Sequence, residues 1–387
     1  MTTRTSPSHY APVDTYTAPD LGGAPEVERL LNTLGQGRYD RSTVVALPGR
    51  NDTWAGRTTT GAEVFVKRLA GPPEHVRARM ARALAFEDLP PTATDGRLRG
   101  PHLLGHDPQH GLLAFEYISG ARSGTVLATP GAPDAPEAAR RLGTALGLLH
   151  GLSADTDPGG RRPLERELPL LPSPVLLDAL PLALYERSSA GELQAWRLMQ
   201  TDNALAPAVT ALLAAERAAP AVPIHGDFRL DQVLLVDGEP SVLAADWEEF
   251  RLGDAARDVG GFAGEFLHRT VLETGTPEGD DSRAQLADAV LTRDEVLQRG
   301  AIALAGLRPV VRAFWQEYLR ARPDADPSLG RRAAAFAGWH ALDRLLAGAA
   351  RRNRLLGVEK AAAGVGRSVL LDPDRYAPAI GLEGNTP

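Results

Sequence analysis

The sequence predicts an α+β fold with two lobes, a small β-rich lobe followed by a larger α-helical lobe. Runs rich in β-branched and aromatic residues are concentrated before residue 119, whereas the apolar spacing beyond residue 121 is mostly helical. One predicted strand pair interrupts the helical part at residues 233–245. A chain of 387 residues is long enough for two lobes with substantial cores.

The predicted lobes follow a short arm. Residues 1–25 are rich in Thr, Ser, Pro and Gly and show no periodicity, so we expect a flexible N-terminal arm. Residues 26–118 form the predicted N-lobe, and residues 119–380 form the predicted C-lobe.

The elements of the N-lobe follow from local patterns. Helices are predicted over Glu26–Leu34 and over Glu74–Asp88, the second ended by Pro90-Pro91. Strands are predicted over Thr43–Leu47, Thr53–Thr58, Glu63–Leu69 and Leu112–Ile118. Because successive strand residues face opposite ways, Val64 and Val66 should share one face of the third strand, with Lys67 on the other.

The C-lobe is predicted to be helical apart from one hairpin. The predicted helices are Glu137–Leu152, 191–201, 206–218, one that opens with a capping box at Thr292, and Ser328–Arg352. The predicted hairpin joins Val233–Val236 to Ser241–Ala245 through a turn at 237–240. Residues 154–175 are rich in Pro, Gly and Arg and are predicted to form a long loop.

Composition excludes several classes of protein. The chain has no cysteine, which excludes disulfides, cysteine-based zinc sites and thiol catalysis. No apolar run approaches the roughly 20 residues of a membrane-spanning helix, and the N-terminus lacks the apolar core of a signal peptide. The net charge of −7 argues against nucleic-acid binding. We therefore expect a cytoplasmic protein with no membrane or nucleic-acid partner.

One lysine is conspicuous in this composition. Only two of the 42 basic residues are lysines, Lys67 and Lys360. A lysine kept where arginine is the habitual cation suggests a position that requires a compact ammonium group.

The strongest motif runs from Ile224 to Gln232 and includes His225-Gly226-Asp227. Asp246 follows nineteen residues after Asp227. The predicted hairpin carries Gln232 at its entrance and Asp246 at its exit, so both side chains should lie at the same end. This layout resembles the catalytic loop and metal-binding aspartate of protein-kinase-like phosphotransferases, and phosphoryl transfer requires a carboxylate beside the attacking hydroxyl and oxygen ligands that hold Mg²⁺. Asp227 is the candidate for the first role, and Gln232 with Asp246 for the second.

These residues resemble the aminoglycoside phosphotransferase and choline kinase-like family, which has a protein-kinase-like fold. The resemblance covers roughly residues 40–350 and is most specific over His225–Asp258. It implies ATP and Mg²⁺ as cofactors, a nucleotide-binding N-lobe, and a C-lobe that carries the catalytic loop, the metal site and the acceptor site. The nucleotide is expected between the lobes.

The resemblance assigns Lys67 to the α- and β-phosphates of ATP. In the family this lysine pairs with a glutamate on a helix. Glu87 is the predicted partner, with Glu74 as the alternative. Glu74 lies at the start of its helix, where an acid is expected because of the helix dipole alone.

The resemblance also suggests nucleotide contacts that depend on order along the chain. The turn Pro48–Thr53, which contains Asn51 and Thr53, occupies the place of the loop that covers the phosphates. It lacks a full Gly-x-Gly-x-x-Gly, and an ordinary hairpin turn explains it equally well. Glu116 and Ile118 lie where the family's hinge binds adenine through backbone groups.

Three residues near the motif receive supporting roles. Asp258, in a segment similar to the family's Gly-Asp-Pro-x-x-Asp-Leu, is predicted to brace the catalytic loop through hydrogen bonds, and His225 to anchor it. Arg229 is predicted to offset charge on the transferring phosphoryl group, with a solvent-facing arginine as the alternative.

Gln232 departs from the family, which has asparagine at this position. Its amide oxygen is chemically the same ligand on one more methylene. Metal binding then requires the loop to shift by about an ångström, and a displacement of that size can lower the catalytic rate strongly. A catalytically inactive scaffold therefore remains an alternative.

The phosphoryl acceptor is left open by the sequence. The motif segments look similar to the kinase component of class V lanthipeptide and thioamide-peptide biosynthesis, which implies a precursor peptide as substrate and a separate lyase protein in trans. The alternative is a kinase for an antibiotic hydroxyl, with Glu248 and Glu249 facing a polycationic drug. The loop arginines Arg161, Arg162 and Arg166 are either a peptide contact or solvated charges.

Overall fold

A computed structural model describes residues 15–47, 49–89, 96, 98–129, 131–152, 166, 171–238, 242–274, 293–350 and 352–383. Its strands are β1 Tyr16–Thr17, β2 Val45–Ala46, β3 Asp52–Arg57, β4 Glu63–Arg68, β5 Leu103–Asp107, β6 Leu112–Glu116, β7 Arg122–Ser123, β8 Ala221–Ile224, β9 Val233–Leu235, β10 Val242–Ala244 and β11 Arg251–Asp254.

The helices agree closely with those predicted. They are α1 Pro25–Thr33, α2 Pro73–Glu87, α3 Ala135–His150, α4 Pro174–Asp178, α5 Leu182–Arg187, α6 Ala190–Gln200, α7 Leu205–Ala218, α8 Ala256–Thr274, α9 Arg293–Ala321, α10 Leu329–Ala349, α11 Gly357–Leu371 and α12 Pro373–Tyr376. The predicted capping box at Thr292 lies outside the described residues, as does nearly all of the predicted 154–175 loop.

The described residues form two compact units. The first comprises those up to Val126 together with Asp231–Phe250, and the second comprises Leu127–Leu230 and Arg251 onward. The hairpin that carries Gln232 and Asp246 therefore belongs to the first unit. The predicted arm and lobe boundaries stay predictions.

The first unit is built on an antiparallel sheet with the strand order β1-β2-β3-β4-β6-β5. Side chains on one face, including Val64 and Val66, pack with the apolar side chains of α1. Leu113, on the opposite face, packs with Met80 and Ala83 of α2. Each fully buried aliphatic side chain contributes about 1.5–3 kcal/mol, so these two clusters fix the sheet between the helices.

A second, smaller sheet of the first unit contains the predicted hairpin. β9 pairs with β10, and Leu235 lies opposite Val242. The Ala245 amide donates to the Gln232 carbonyl at 2.8 Å, which brings the two ends of the hairpin together. The prediction that Gln232 and Asp246 lie at the same end is confirmed.

The second unit is mainly helical. Helix α3 packs against α9, and α8 packs against α10. The approach of α3 to α9 requires glycine, because a Cβ atom at Gly143 would lie 2.1 Å from the Phe314 carbonyl oxygen. Strands β8 and β11 pair antiparallel and place Ile224 opposite Arg251, immediately before the His225-Gly226-Asp227 motif.

Most of the elements that the sequence patterns did not predict are short: β1, β5, β7, β8 and β11, with helices α4, α5 and α12. Two long helices, α8 and α11, were also not predicted individually, although they lie where the sequence is mostly helical in pattern. Over two to six residues, periodicity does not distinguish a strand or helix from a loop. Among the helices that the structure describes, none combines the length and apolar character needed to cross a membrane.

Candidate active site

Lys67 is the centre of the candidate site in the first unit. It lies in β4 opposite Thr53 of β3 and Leu113 of β6, and its residue is only 8% exposed. Its ammonium group forms ion pairs with Asp246 and Glu248. Burial by itself lowers the pKa of Lys67, but the two carboxylates outweigh burial and hold the pKa above its usual value. Lys67 is therefore positively charged, and two carboxylates hold its ammonium group in place.

Asp246 follows β10 and has φ = 70° and ψ = 48°, in the left-handed region. Among the described residues it is the one non-glycine residue with positive φ. Aspartate adopts this region more readily than most residues, because its short polar side chain bonds locally. Its side chain is 28% exposed, and Gln232 Nε2 donates to its Oδ2 at 3.3 Å. The backbone thus turns one carboxylate toward both Lys67 and Gln232.

Glu248 is bound between two cations. Oε1 pairs with Lys67, whereas Oε2 accepts from Arg79 Nε at 2.7 Å and also pairs with Arg79 Nη2. Arg79 comes from α2, and both residues are buried. Charge-assisted bonds of this kind are stronger than neutral ones, and removal of Glu248 would leave the buried Arg79 guanidinium without this carboxylate.

The predicted phosphate-loop residues Asn51 and Thr53 both form hydrogen bonds with other residues of the first unit. Asn51 Oδ1 accepts from the Ala70 amide at 3.0 Å and from Arg79 Nη2 at 3.4 Å. Thr53 Oγ1 accepts from the Leu47 amide at 2.8 Å. Both side chains therefore stabilise the turn before β3, and Asn51 reaches the Arg79–Glu248 pair.

The predicted hinge lies at the end of β6. The Glu116 amide donates to the His102 carbonyl at 2.8 Å, and the Ile118 carbonyl accepts from Ala121 at 3.3 Å. The role of Glu116 and Ile118 in adenine binding stays a prediction.

The predicted pairing of Lys67 with Glu87 is wrong. Glu87 lies near His102, accepts a hydrogen bond from the Leu103 amide, and has its pKa raised by burial. Glu74 is exposed. Neither is a salt-bridge partner of Lys67, whose carboxylate partners in the described structure are Asp246 and Glu248.

The alternative in which Glu248 faces a polycationic drug does not fit, because the residue is 3% exposed and binds Lys67 and Arg79. Sequence reasoning missed this role. The available signal was weak: Glu248 lies two residues after Asp246, while Arg79 is one of three arginines in α2 and resembles Arg77 and Arg82 in sequence.

The part of the catalytic-loop motif up to Leu230, which includes Asp227, belongs to the second unit. Gly226 has φ = 84°, a conformation that favours glycine, and it begins the turn to Asp227. The Asp227 side chain is 41% exposed, and its Oδ1 lies 3.3 Å from Arg229 Nε. The predicted solvent-facing alternative for Arg229 does not fit, since its side chain is only 17% exposed. Asp227 thus presents an accessible carboxylate beside a fixed guanidinium.

Asp258 braces this loop, as predicted. Its Oδ2 accepts from the His225 amide at 2.6 Å, and its Oδ1 accepts from the Gly226 amide at 2.9 Å. His150 Nε2 lies 3.1 Å from Oδ2, which makes Nε2 the protonated nitrogen, and Nδ1 then accepts from Tyr318 at 2.9 Å. Burial raises the pKa of Asp258, but the hydrogen bonds and the nearby histidines outweigh burial and hold the pKa below its usual value.

Asp258→Asn is expected to destabilise the protein by about 2–3 kcal/mol at neutral pH, because one oxygen that accepts an amide becomes a donor. The folded pKa lies below the unfolded value of about 3.9, so this stabilisation is present above that pH and is lost as the pH falls through the folded pKa. Urea unfolding at several pH values should therefore show the difference between the two proteins shrinking below about pH 4. The exposed Asp178→Asn serves as the control; a pH-independent difference would contradict the role of Asp258.

A pocket adjoins Asp227 in the second unit. Its volume is about 130 Å³. The polar and aromatic residues that line it include Asp227, Arg229, Arg257, Trp339, His340 and Asp343. His340 is oriented by Glu265, whose Oε1 lies 2.8 Å from its Nε2. A small molecule or side chain that enters this pocket meets the Asp227 carboxylate.

The donor set around Asp246 fits a divalent metal bound together with phosphates. A carboxylate and an amide oxygen are ligands that Mg²⁺ accepts, usually with phosphate oxygens and water completing its shell. Among the described residues no cluster of three or more His, Asp or Glu side chains could hold a metal by itself. The fit is therefore to a metal that arrives with a nucleotide, and the Gln232 amide must turn its oxygen toward it.

The β-rich unit with its Lys67–Asp246 pair, and the helical unit with its braced Asp227 loop, define a protein-kinase-like phosphotransferase. The model of the phosphotransferase enzyme family matches residues 44–298, well over half of the chain. The chain therefore belongs to the phosphotransferase enzyme family, and it is an ATP-dependent phosphotransferase that acts on hydroxyl groups.

Solved structures of similar fold include three kinases with different acceptors. A choline/ethanolamine kinase family protein from Mesorhizobium loti is 17% identical, with a TM-score of 0.45 and coverage of 88% of this chain and 92% of that chain. Macrolide 2′-phosphotransferase MphH from Brachybacterium faecium is 16% identical, with a TM-score of 0.46 and coverages of 89% and 97%. Amicoumacin kinase hAmiN, solved with AMP-PNP, Ca²⁺ and Ami, is 13% identical, with a TM-score of 0.48 and coverages of 91% and 95%.

These TM-scores are below 0.5, so the assignment rests on the family match. No functionally curated protein gives a significant sequence match.

Proposed function

We propose that this protein uses ATP and Mg²⁺ to phosphorylate Ser or Thr hydroxyls of a ribosomal precursor peptide, which a separate lyase then converts to dehydroamino acids. The observation that carries the proposal is the accessible Asp227 carboxylate at the wall of a pocket of about 130 Å³. Pockets for drug-sized ligands usually have volumes of about 300–1,000 Å³. A pocket of this size suits one hydroxyl side chain better than a whole antibiotic.

Each charged residue of the proposed site has its own role in the reaction. Asp227 accepts the proton of the acceptor hydroxyl, and Arg229 offsets charge that develops on the transferred group. Lys67 binds nucleotide phosphates, and Asp246 and Gln232 hold the metal. When bound, ATP would supply the phosphoryl group, with ADP as the leaving group, and Mg²⁺ would neutralise charge on the phosphates.

Four further residues are proposed to shape or contact the nucleotide site. Asn51 and Thr53 hold the turn before β3 in a shape that covers the phosphates, and Glu116 and Ile118 bind adenine through their backbone groups. Glu87 is not retained as the partner of Lys67, since its contacts are with His102 and Leu103.

The test is a comparison of acceptors under one set of conditions. The protein is incubated with Mg-ATP and a precursor peptide from its gene neighbourhood, and mass spectrometry is used to detect added phosphate. The matched control is the same peptide with every Ser and Thr replaced by Ala. Phosphate on the first peptide alone supports the proposal; turnover of aminoglycosides or macrolides with no peptide product contradicts it. Absence of turnover on any acceptor favours the scaffold alternative.

A kinase for a small cationic alcohol is the second candidate, and the pocket itself favours it. Trp339 and Asp343 line one part of the pocket with an aromatic ring and a carboxylate, a pair that suits an amine or quaternary ammonium group; Asp343 also pairs with Arg344 at 2.7 Å, and Arg229 and Arg257 line the pocket as well. Asp343→Asn separates the two candidates. It should raise the KM of a cationic alcohol substantially while leaving the KM of a peptide with a neutral Ser or Thr site nearly unchanged.

Gln232→Asn tests whether the glutamine is a working metal ligand. We expect the shorter amide to lower the Mg²⁺ concentration needed for half-maximal rate, because it restores the reach that the family uses. Gln232→Ala should raise that concentration. If both variants leave the Mg²⁺ dependence of the rate unchanged, Gln232 is not a ligand.

A further inference from the structure

Glu248 connects the two parts of the first unit that matter for a nucleotide. Lys67 lies in the sheet, and Arg79 lies in helix α2. Glu248 binds both through different oxygens, and all three residues are at most 8% exposed. Helix α2 places Arg79, and not a glutamate, at this site. The carboxylate that balances the charge of Lys67 therefore has to come from another segment.

The acid comes from the segment that also supplies Asp246. Glu248 lies on the 3-10 turn Trp247–Glu249, which begins directly after Asp246. The Trp247 ring stacks on Phe86 with centroids 3.5 Å apart and an interplanar angle of 4°, and its Nε1 donates to the Ala244 carbonyl at 2.7 Å. Both contacts restrain the turn, so the spacing between the two carboxylates is fixed.

Helix α2 also restrains the backbone at Glu248. Arg82 Nε donates to the Glu248 carbonyl at 2.7 Å. Arg79 Nη1 donates to the Ala70 carbonyl at 2.8 Å, and Arg79 Nη2 reaches Asn51. A continuous series of contacts thus runs from the turn before β3, through Arg79 and Glu248, to Lys67 and Asp246.

We propose that Glu248 is a positioning residue of the ATP site: it replaces the helix glutamate as the counter-charge of Lys67, and Arg79 fixes it in place. This inference rests on the nucleotide role proposed above for Lys67 and Asp246. The Lys67 ammonium group has three N–H donors, so it can interact with two carboxylates at once. Because Glu248 takes part of this interaction, Lys67 is shared between Glu248 and Asp246. Without Glu248, Lys67 pairs with Asp246 alone, and that carboxylate is less available to a metal that arrives with the nucleotide.

Three variants separate positioning from simple stabilisation. Glu248→Gln removes the charge and leaves Arg79 buried without its partner, so both the melting temperature and ATP affinity should fall. Glu248→Asp keeps the charge and should recover part of the affinity. The double variant Arg79→Met/Glu248→Gln removes both charges of the buried pair and should recover the melting temperature while ATP affinity stays low.

The measurements do not depend on the acceptor. ATP binding in the presence of Mg²⁺ is measured by calorimetry, and the melting temperature is measured without nucleotide. We expect Glu248→Gln to weaken ATP binding by roughly tenfold or more. The matched control is Glu249→Gln, which removes a neighbouring acid that pairs with Arg82 at 3.4 Å and should change affinity by less than about twofold.

Two results would overturn the inference. One is a folded Glu248→Gln protein with wild-type ATP affinity, and the other is a double variant in which affinity recovers together with stability. If the wild-type protein binds no ATP, the proposed nucleotide site fails and the inference fails with it. If it binds ATP but phosphorylates no peptide, only the proposed acceptor fails, and the comparison of variants still decides the role of Glu248.

Discussion

Asp227→Asn is expected to lower kcat by roughly 10²–10⁴-fold, the usual contribution of a general base. The amide keeps the size of the side chain but cannot accept the proton of the acceptor hydroxyl. Because the side chain is 41% exposed, the melting temperature and ATP affinity should change little. The measurement is the rate of phosphoryl transfer at saturating Mg-ATP, alongside calorimetric ATP binding.

The control is Asp231→Asn, which alters an exposed acid four residues later in the same segment. It should retain most of the activity. Near-normal turnover by a folded Asp227→Asn protein would refute the assigned role, and equal losses in both variants would show that charge in this segment, rather than one carboxylate, matters.

Asp246→Asn is expected to lower kcat/KM for Mg-ATP by roughly 10²-fold or more, because a neutral amide binds the metal and the phosphate charge far less well than a carboxylate. Backbone strain cannot explain the loss, since asparagine also tolerates the left-handed conformation at this position. Lys67 keeps Glu248 as a partner, so the folded unit should persist. The Mg²⁺ dependence of ATP binding measures the effect directly.

The matched control for Asp246 is Asp237→Asn. Asp237 is exposed and lies at the opposite end of the same hairpin, so its replacement should leave ATP binding and turnover unchanged. Wild-type activity in a folded Asp246→Asn protein would contradict the metal role, whatever the outcome for the acceptor.

Most of the fold follows from local pattern. The helices around α2, α3, α7 and α10 were predicted within a few residues, because their apolar spacing extends over ten residues or more. Strand β4 was predicted with alternating faces and β6 as an apolar run, whereas β3 was placed between two turn segments. The short pairs such as β8–β11 carry too few residues for periodicity, and they exist because partners distant in sequence bond to them.

The site divides in the same way. The sequence predicted that Gln232 and Asp246 lie at the same end of a hairpin, because a tight turn between two strands brings the far ends of those strands together. It also predicted the bracing role of Asp258 from a motif. It did not find the partner of Lys67: the choice lay between Glu87 and Glu74, and only packing shows that Glu248 reaches the ammonium group.

By itself, the sequence determined the catalytic chemistry that this chain can offer: a His-Gly-Asp loop, a hairpin aspartate, and a lysine on the strand face opposite Val64 and Val66. Only the tertiary structure decided how these charges are balanced. Lys67 and Asp246 are 179 residues apart, and the Glu248 that joins them to Arg79 is equally remote in sequence from the strand. Local periodicity fixes the face on which a side chain lies, whereas the identity of its ionic partner depends on long-range packing.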